Sequence, residues 1–269
     1  MEAQRPLGIL DSGVGGLSVL RHVRAELPHE NLLYYADQAH VPYGPRPAAE
    51  IRAFTETITH FLLEQGAKLI IVACNVASAA ALTHLRATFP ETPFVGMEPA
   101  VKPGAAVTRS GKVGVLATLG TLSSQRYQDL MARYAQGVQV MADPCPGLVE
   151  LIEAGRVDTP ETERLLRSRL EPMLAAGVDT LILGCTHYPF VIPLIQRVAG
   201  PGVTIIDPAP AVARQTRRVL AEGDLWTTSA APGRLRLYTS GDPGRLADLA
   251  GRFLPDLPQP LLISQKCFT

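Results

Sequence analysis

The chain has 269 residues, with Lys+Arg and Asp+Glu both at 25, so its formal net charge is zero. Hydrophobic residues make up 46% of it, which supports a large core and excludes a disordered chain. The length suits two domains better than one. The arginines scatter rather than cluster, so bulk electrostatics favour neither nucleic acid nor an anionic membrane as a partner. No apolar run approaches the roughly 18 residues of a membrane span. The opening MEAQRPLGIL lacks a cleavable signal pattern, and a cytoplasmic protein is expected. The four cysteines, Cys74, Cys145, Cys185 and Cys267, are far apart and follow no CxxC spacing. They predict neither a disulfide framework nor a structural zinc site.

In chain order, LGIL (7–10) reads as a strand running into DSGVGG, followed by a helix with Leu17, Leu20, Val23 and Leu27 on one side. NLLYYAD (31–37) is the next strand. After the loop VPYGPRP (41–47), the residues Ile51, Phe54, Ile58, Phe61 and Leu62 recur at helical spacing. KLIIVAC (68–74) follows, with a helix expected from Ser78. Continuous apolar strands between amphipathic helices predict parallel sheets covered on both faces, hence an α/β fold.

The pattern then restarts. KVGVLAT (112–118) matches the opening PLGILDS (6–12), and DTLILGC (179–185) matches KLIIVAC (68–74). Gly8 and Gly114 are separated by nearly the same stretch of chain as Cys74 and Cys185, which predicts an internal duplication. VTIIDPA (203–209) reads as a further strand and a crossing point. Residues 1–97 with the tail 208–269 are assigned to a first α/β domain, and 98–207 to a second. Asp11, Asp37, Cys74, Thr118 and Cys185 all fall at carboxyl ends of strands, where such sheets bind ligands, and are expected to line one cleft.

The glycines of DSGVGG (11–16), with Asp37 at the end of the next strand, partly match a dinucleotide-binding fingerprint. Against that reading, Asp11 would repel a pyrophosphate, and Ser18 stands at the third glycine position. A tight strand-to-helix turn explains the glycines equally, and Asp11 can cap the helix that follows.

CNVAS (74–78) and GCTHYP (184–189) carry more. Either cysteine alone reads as a small core residue. Together they stand at equivalent polar strand ends of two repeated units. A following helix N-terminus favours thiolate, and its N–H groups can hold a carboxylate. Inverting an α-carbon requires a base on one face and an acid on the other, and one thiol per half supplies that pair. Cys185 and His187 alone are too few ligands for a metal. His187 is placed to tune or relay the Cys185 proton, or to serve as a structural histidine. Asp11 is a candidate proton partner of Cys74 or a contact for a substrate ammonium. Tyr43 and Gly44 offer a hydroxyl and backbone N–H groups to a ligand, or form a rigid connector. By periodicity alone Glu153 is an ordinary helix residue.

In this order the motifs GILDSGVGGLSVL (8–20), YYADQAHVPYG (34–44), CNVASA (74–79), VGVLATLGT (113–121), LVELIEAG (148–155), LILGCTHYP (181–189) and IDPA (206–209) resemble those of the glutamate racemases, within the aspartate/glutamate racemase superfamily. The resemblance spans nearly the whole chain. It implies two pseudo-symmetric α/β domains with the active site in the cleft between them. It also implies cofactor-independent interconversion of L- and D-glutamate for peptidoglycan, with no metal. Cys74 and Cys185 then look like the two proton donors and acceptors, and Asp11, Glu153 and His187 like auxiliary acid/base residues. Asp11, Ser12, Tyr43, Gly44, Asn75, Val76, Thr186 and His187 look like substrate contacts, with Thr118 and Thr121 near the substrate carboxylates. Members of the family often dimerise, but no interface signature is legible here. The family pattern has Thr where this chain has Val76, so the backbone N–H remains there but a hydroxyl is missing. Alternatives are a racemase for aspartate or another acidic amino acid, a nucleotide-dependent oxidoreductase, and a non-catalytic binding protein of the kind associated with gyrase inhibition.

Overall fold

A computed structural model describes residues 4–257 and 261–268. Among them the strands are β1 (Leu7–Asp11), β2 (Leu32–Ala36), β3 (Leu69–Val72), β4 (Phe94–Gly96), β5 (Lys112–Leu116), β6 (Gln139–Asp143), β7 (Thr180–Leu183), β8 (Thr204–Ile206), β9 (Leu235–Thr239) and β10 (Ile263–Gln265). The helices are α1 (Leu17–Glu26), α2 (Ala48–Glu64), α3 (Asn75–Thr88), α4 (Val101–Val107), α5 (Leu119–Leu122), α6 (Gln125–Tyr134), α7 (Leu148–Glu153), α8 (Pro160–Ala175), α9 (Ile192–Ala199), α10 (Ala209–Glu222) and α11 (Pro243–Phe253). A 3₁₀ turn covers Tyr188–Val191. No helix among the described residues is long and apolar enough to cross a membrane.

The chain divides into two compact units, Met1–Met97 with Ala209–Thr269, and Glu98–Pro208. The first holds a six-stranded sheet of order β10-β9-β2-β1-β3-β4, and the second a four-stranded sheet of order β6-β5-β7-β8. Every strand pairing is parallel. The order β2-β1-β3-β4 in one unit repeats as β6-β5-β7-β8 in the other, so the duplication read from the sequence is a duplication of topology. The register repeats as well. Gly8 of β1 pairs with Ile70 of β3, and Gly114 of β5 pairs with Leu181 of β7. A Cβ on Gly8 would lie 2.7 Å from the Ile70 Cδ1 atom, and one on Gly114 would lie 2.6 Å from Leu181 Cδ2. A side chain at either position would crowd the neighbouring strand's residue, which folds over the glycine.

The strands β1, β2, β3 and β7 are buried along their whole length, as continuous Leu/Ile/Val/Tyr runs in covered parallel sheets should be. The helix α2 buries Ile51, Thr55, Ile58, Phe61 and Leu62, following the helical spacing. The tail contributes two strands to the first sheet: β9 pairs with β2, and β10 with β9. A buried ion pair reinforces this arrangement. Lys68 Nζ lies 2.7 Å from Glu30 Oε2, and Glu30 Oε1 accepts the Thr227 N–H at 2.8 Å. The carboxylate thus links the start of β3 to the tail.

Two local expectations are corrected. The third helix begins at Asn75, not Ser78, because the Cys74 side chain caps it. Asp11 does not cap α1. Its Oδ1 accepts the Gly13 N–H at 2.8 Å, closing a tight turn, while Gly16 stands at the N-cap with no side-chain cap.

Candidate active site

In the first unit, the ends of β1, β2 and β3 bring Asp11, Ser12, Tyr43 and Cys74 together. Cys74 lies two residues beyond β3 and is 5% exposed. Its sulfur accepts the Ala77 N–H at 3.5 Å, and its thiol lies 3.9 Å from Ser12 Oγ. A helix N-terminal N–H directed at sulfur binds a thiolate better than a thiol. Asn75, the first residue of α3, is 3% exposed, and neither polar atom of its side chain has a hydrogen-bond partner among the described residues. Leaving an amide buried and unpaired costs about 1–3 kcal/mol, a cost that a bound polar ligand can remove. Val76 is buried in the apolar cluster that also contains Tyr43 and Cys74.

The Tyr43 hydroxyl is not free for a ligand. It donates to Asp37 Oδ2 at 2.6 Å. Burial pushes its pKa well above the ordinary value, and the neighbouring Asp37, Cys74 and Asp11 add to the shift, so the phenol keeps its proton. Among the described residues, the N–H groups of Tyr43 and Gly44 have no acceptor. The loop therefore offers a ligand its backbone rather than the tyrosine hydroxyl. Asp37 is likewise committed. His40 Nδ1 lies 2.8 Å from its Oδ1, Ser240 Oγ donates to Oδ1 at 2.7 Å, and Tyr43 holds Oδ2. It is a structural acceptor, which removes the ribose contact that a dinucleotide reading required.

In the second unit, Cys185 lies two residues beyond β7 and is 7% exposed. His187 Nδ1 lies 3.7 Å from Cys185 Sγ, and His187 Nε2 lies 2.7 Å from Glu153 Oε1. Glu153 ends α7 and His187 precedes the 3₁₀ turn, so a helix and a strand end are joined through the imidazole. Burial opposes charge on His187, but the hydrogen bonds and negative charges of Cys185 and Glu153 outweigh it. The imidazole is held well above the usual histidine pKa. Thr186 is buried beside it. Thr118 and Thr121 pair with each other, their hydroxyls 3.3 Å apart, with Thr121 buried.

The sequence reading gave no role to three buried residues around these groups. Ser240 follows β9 and binds Asp37. The Tyr188 hydroxyl has no hydrogen-bond partner among the described residues, although the ring is fully buried. Cys145 is buried with a left-handed φ of 44°, and burial with neighbouring Asp143 pushes its thiol pKa strongly up. Ser240 and Cys145 lie outside the recognised motifs, and Tyr188 lies within GCTHYP (184–189), where nothing in the sequence marks its hydroxyl; contacts distant in sequence, burial and backbone geometry set the three apart. Among the described residues, no cluster of three or more His, Cys, Asp or Glu side chains is arranged to hold a metal ion.

The chain resembles known proteins over almost its full length. Residues 17–216 match the Asp/Glu/Hydantoin racemase family. A glutamate racemase from Ectopseudomonas mendocina is 54% identical over 245 residues, covering 91% of this chain and 93% of that protein. The crystal structure of the Escherichia coli glutamate racemase, in complex with L-glutamate and the activator UDP-MurNAc-ala, superposes with a TM-score of 0.84 at 32% identity, covering 98% of both chains. That of the Francisella tularensis glutamate racemase, in complex with D-glutamate, also reaches a TM-score of 0.84, at 29% identity, covering 99% of this chain and 98% of that one. With the repeated topology and a cysteine at the equivalent strand end of each unit, the chain belongs to the Asp/Glu/Hydantoin racemase family, among its glutamate racemases.

Proposed function

We propose that the chain interconverts L- and D-glutamate by proton transfer at the α-carbon, with Cys74 and Cys185 acting on opposite faces. The observation that carries this reading is the equivalence of the two thiols. Each stands two residues beyond β3 or β7, the strands that occupy the same place in the two repeated sheets. One thiolate removes the α-proton, breaking the C–H bond and leaving its electron pair on the substrate. The opposite thiol delivers a proton to that pair, forming a new C–H bond with inverted configuration. Nothing is oxidised or reduced, so the reaction calls for no cofactor. Afterwards the protonation states of the thiols are exchanged, and solvent exchange restores them.

The substrate assignment draws on the relatives solved with L- and D-glutamate. The unpaired Asn75 amide and the N–H groups of Tyr43 and Gly44 are suited to carboxylates. Ser12 and Thr186 add hydroxyls, and Thr118 and Thr121 are lesser candidates for the same role. Asp11 serves Cys74, while His187 with Glu153 serves Cys185. In this reading the enzyme acts in the cytoplasm, alone or as a homodimer, and its D-glutamate goes to peptidoglycan. Val76 keeps aspartate open as a second substrate, because a contact the family makes with a hydroxyl is apolar here.

Incubating the purified protein in D₂O with each enantiomer of glutamate and of aspartate, with nothing else added, tests the proposal. Deuterium should enter the α-position of both glutamate enantiomers faster than that of aspartate. No exchange with glutamate, or faster exchange with aspartate, would overturn the assignment.

A further inference from the structure

Ser240 immediately follows β9 and is 6% exposed. Its backbone N–H donates to Ala36 O at 3.1 Å, and its carbonyl accepts the Cys267 thiol at 3.1 Å. Its hydroxyl bridges two points of the loop after β2, donating to Asp37 Oδ1 at 2.7 Å and accepting the Ala39 N–H at 3.0 Å. The other Asp37 oxygen receives the Tyr43 hydroxyl at 2.6 Å, and the Asp37 N–H donates to Asp11 O at 2.9 Å. His40 reaches the same carboxylate from within the loop, at 2.8 Å. Among the described residues, Ser240 is thus the side chain from a distant part of the sequence that fixes a carboxylate otherwise bound from within its own loop.

We propose that Ser240 is a positioning residue for substrate binding: through Asp37 it holds the Tyr43–Gly44 turn so that the two unpaired N–H groups of that turn meet a substrate carboxylate. This rests on the glutamate racemase reading above. Hydrogen bonds to an ionised, buried acceptor are strong and directional. Removing one donor lets the carboxylate rotate toward the remaining ones and takes Tyr43 with it. The turn contributes binding rather than proton transfer, so the effect belongs in KM and not in kcat.

The test is steady-state glutamate racemisation by Ser240→Ala, Tyr43→Phe and the double variant. Ser240→Ala should raise KM about tenfold, the size of losing one hydrogen bond to a charged group, with kcat nearly unchanged. The double variant should be no worse than the weaker single, because both substitutions release the same turn. Ser240→Thr, which keeps the hydroxyl, should restore KM. If Ser240→Ala does not fold, Ser240→Cys supplies the same reading with a weak donor of similar size. A lowered Tm with unchanged KM, or single effects that multiply in the double variant, would overturn the proposal while leaving the racemase reading intact. A wild-type protein that does not turn over glutamate would overturn both.

Discussion

Glu153 Oε1 lies 2.7 Å from His187 Nε2, and both side chains are buried. The opposite ring nitrogen of His187 faces Cys185 Sγ at 3.7 Å. This order, carboxylate to imidazole to thiol, fixes the orientation of the ring and gives the second thiol a partner that holds a proton.

The first prediction follows from that relationship. Burial alone would lower the His187 pKa, but Cys185 and Glu153 raise it overall. A group whose pKa is raised on folding contributes stability that is complete below its unfolded value, near 6.5, and is lost as the pH rises through the folded value. Glu153→Gln removes one of the raising groups, so the His187 ring should deprotonate at lower pH, as read by NMR titration. The variant's kcat/KM should fall by about 10- to 100-fold. Because L- and D-glutamate are equally stable, kcat/KM must fall equally in both directions. An unshifted His187 titration would contradict the account of the pair.

A second prediction concerns Asn75. Its amide is buried with no protein partner among the described residues, so the ligand-free protein bears a desolvation cost of about 1–3 kcal/mol. Asn75→Ala should leave Tm unchanged or higher and should raise the KM for glutamate. Thermal unfolding with and without glutamate checks both, and a large fall in the ligand-free Tm would show that the amide is structural instead.

Val76 gives the third prediction. It packs with Tyr43 and Cys74 in an apolar cluster. Val76→Thr should cost about 1 kcal/mol of stability, because a hydroxyl enters the core. It should lower the KM for glutamate by roughly ten- to a hundredfold, since a new hydrogen bond to a carboxylate is worth about 1.5–3 kcal/mol. An unchanged KM would show that the missing hydroxyl is not a binding contact here.

The sequence revealed the repeated βαβ frame because its strands are continuous apolar runs and both glycine–cysteine pairs recur at similar separation. It also singled out Cys74, Cys185 and His187 as candidates by position alone. What it could not show lies in contacts between distant residues. Glu153 looks like any helix residue until α7 is placed beside the turn at His187. Asp37 ends a strand as a ribose-binding aspartate would, yet its carboxylate is filled by Tyr43, His40 and Ser240. The strands β4 and β10 have only three residues each, as β8 does, and β8 is legible only through the VTIIDPA run around it. The edge strand β6 is only partly buried, so it lacks the apolar run that revealed its neighbours.

The central claim is that two thiols, one from each unit, share one proton-transfer reaction. Its most direct test is glutamate racemisation and α-proton exchange in D₂O by Cys74→Ser and Cys185→Ser, each shown to be folded. A serine hydroxyl is far too weak an acid to supply the missing base, so each variant should lose racemisation while wild type retains it. Racemisation persisting in both variants would contradict the account.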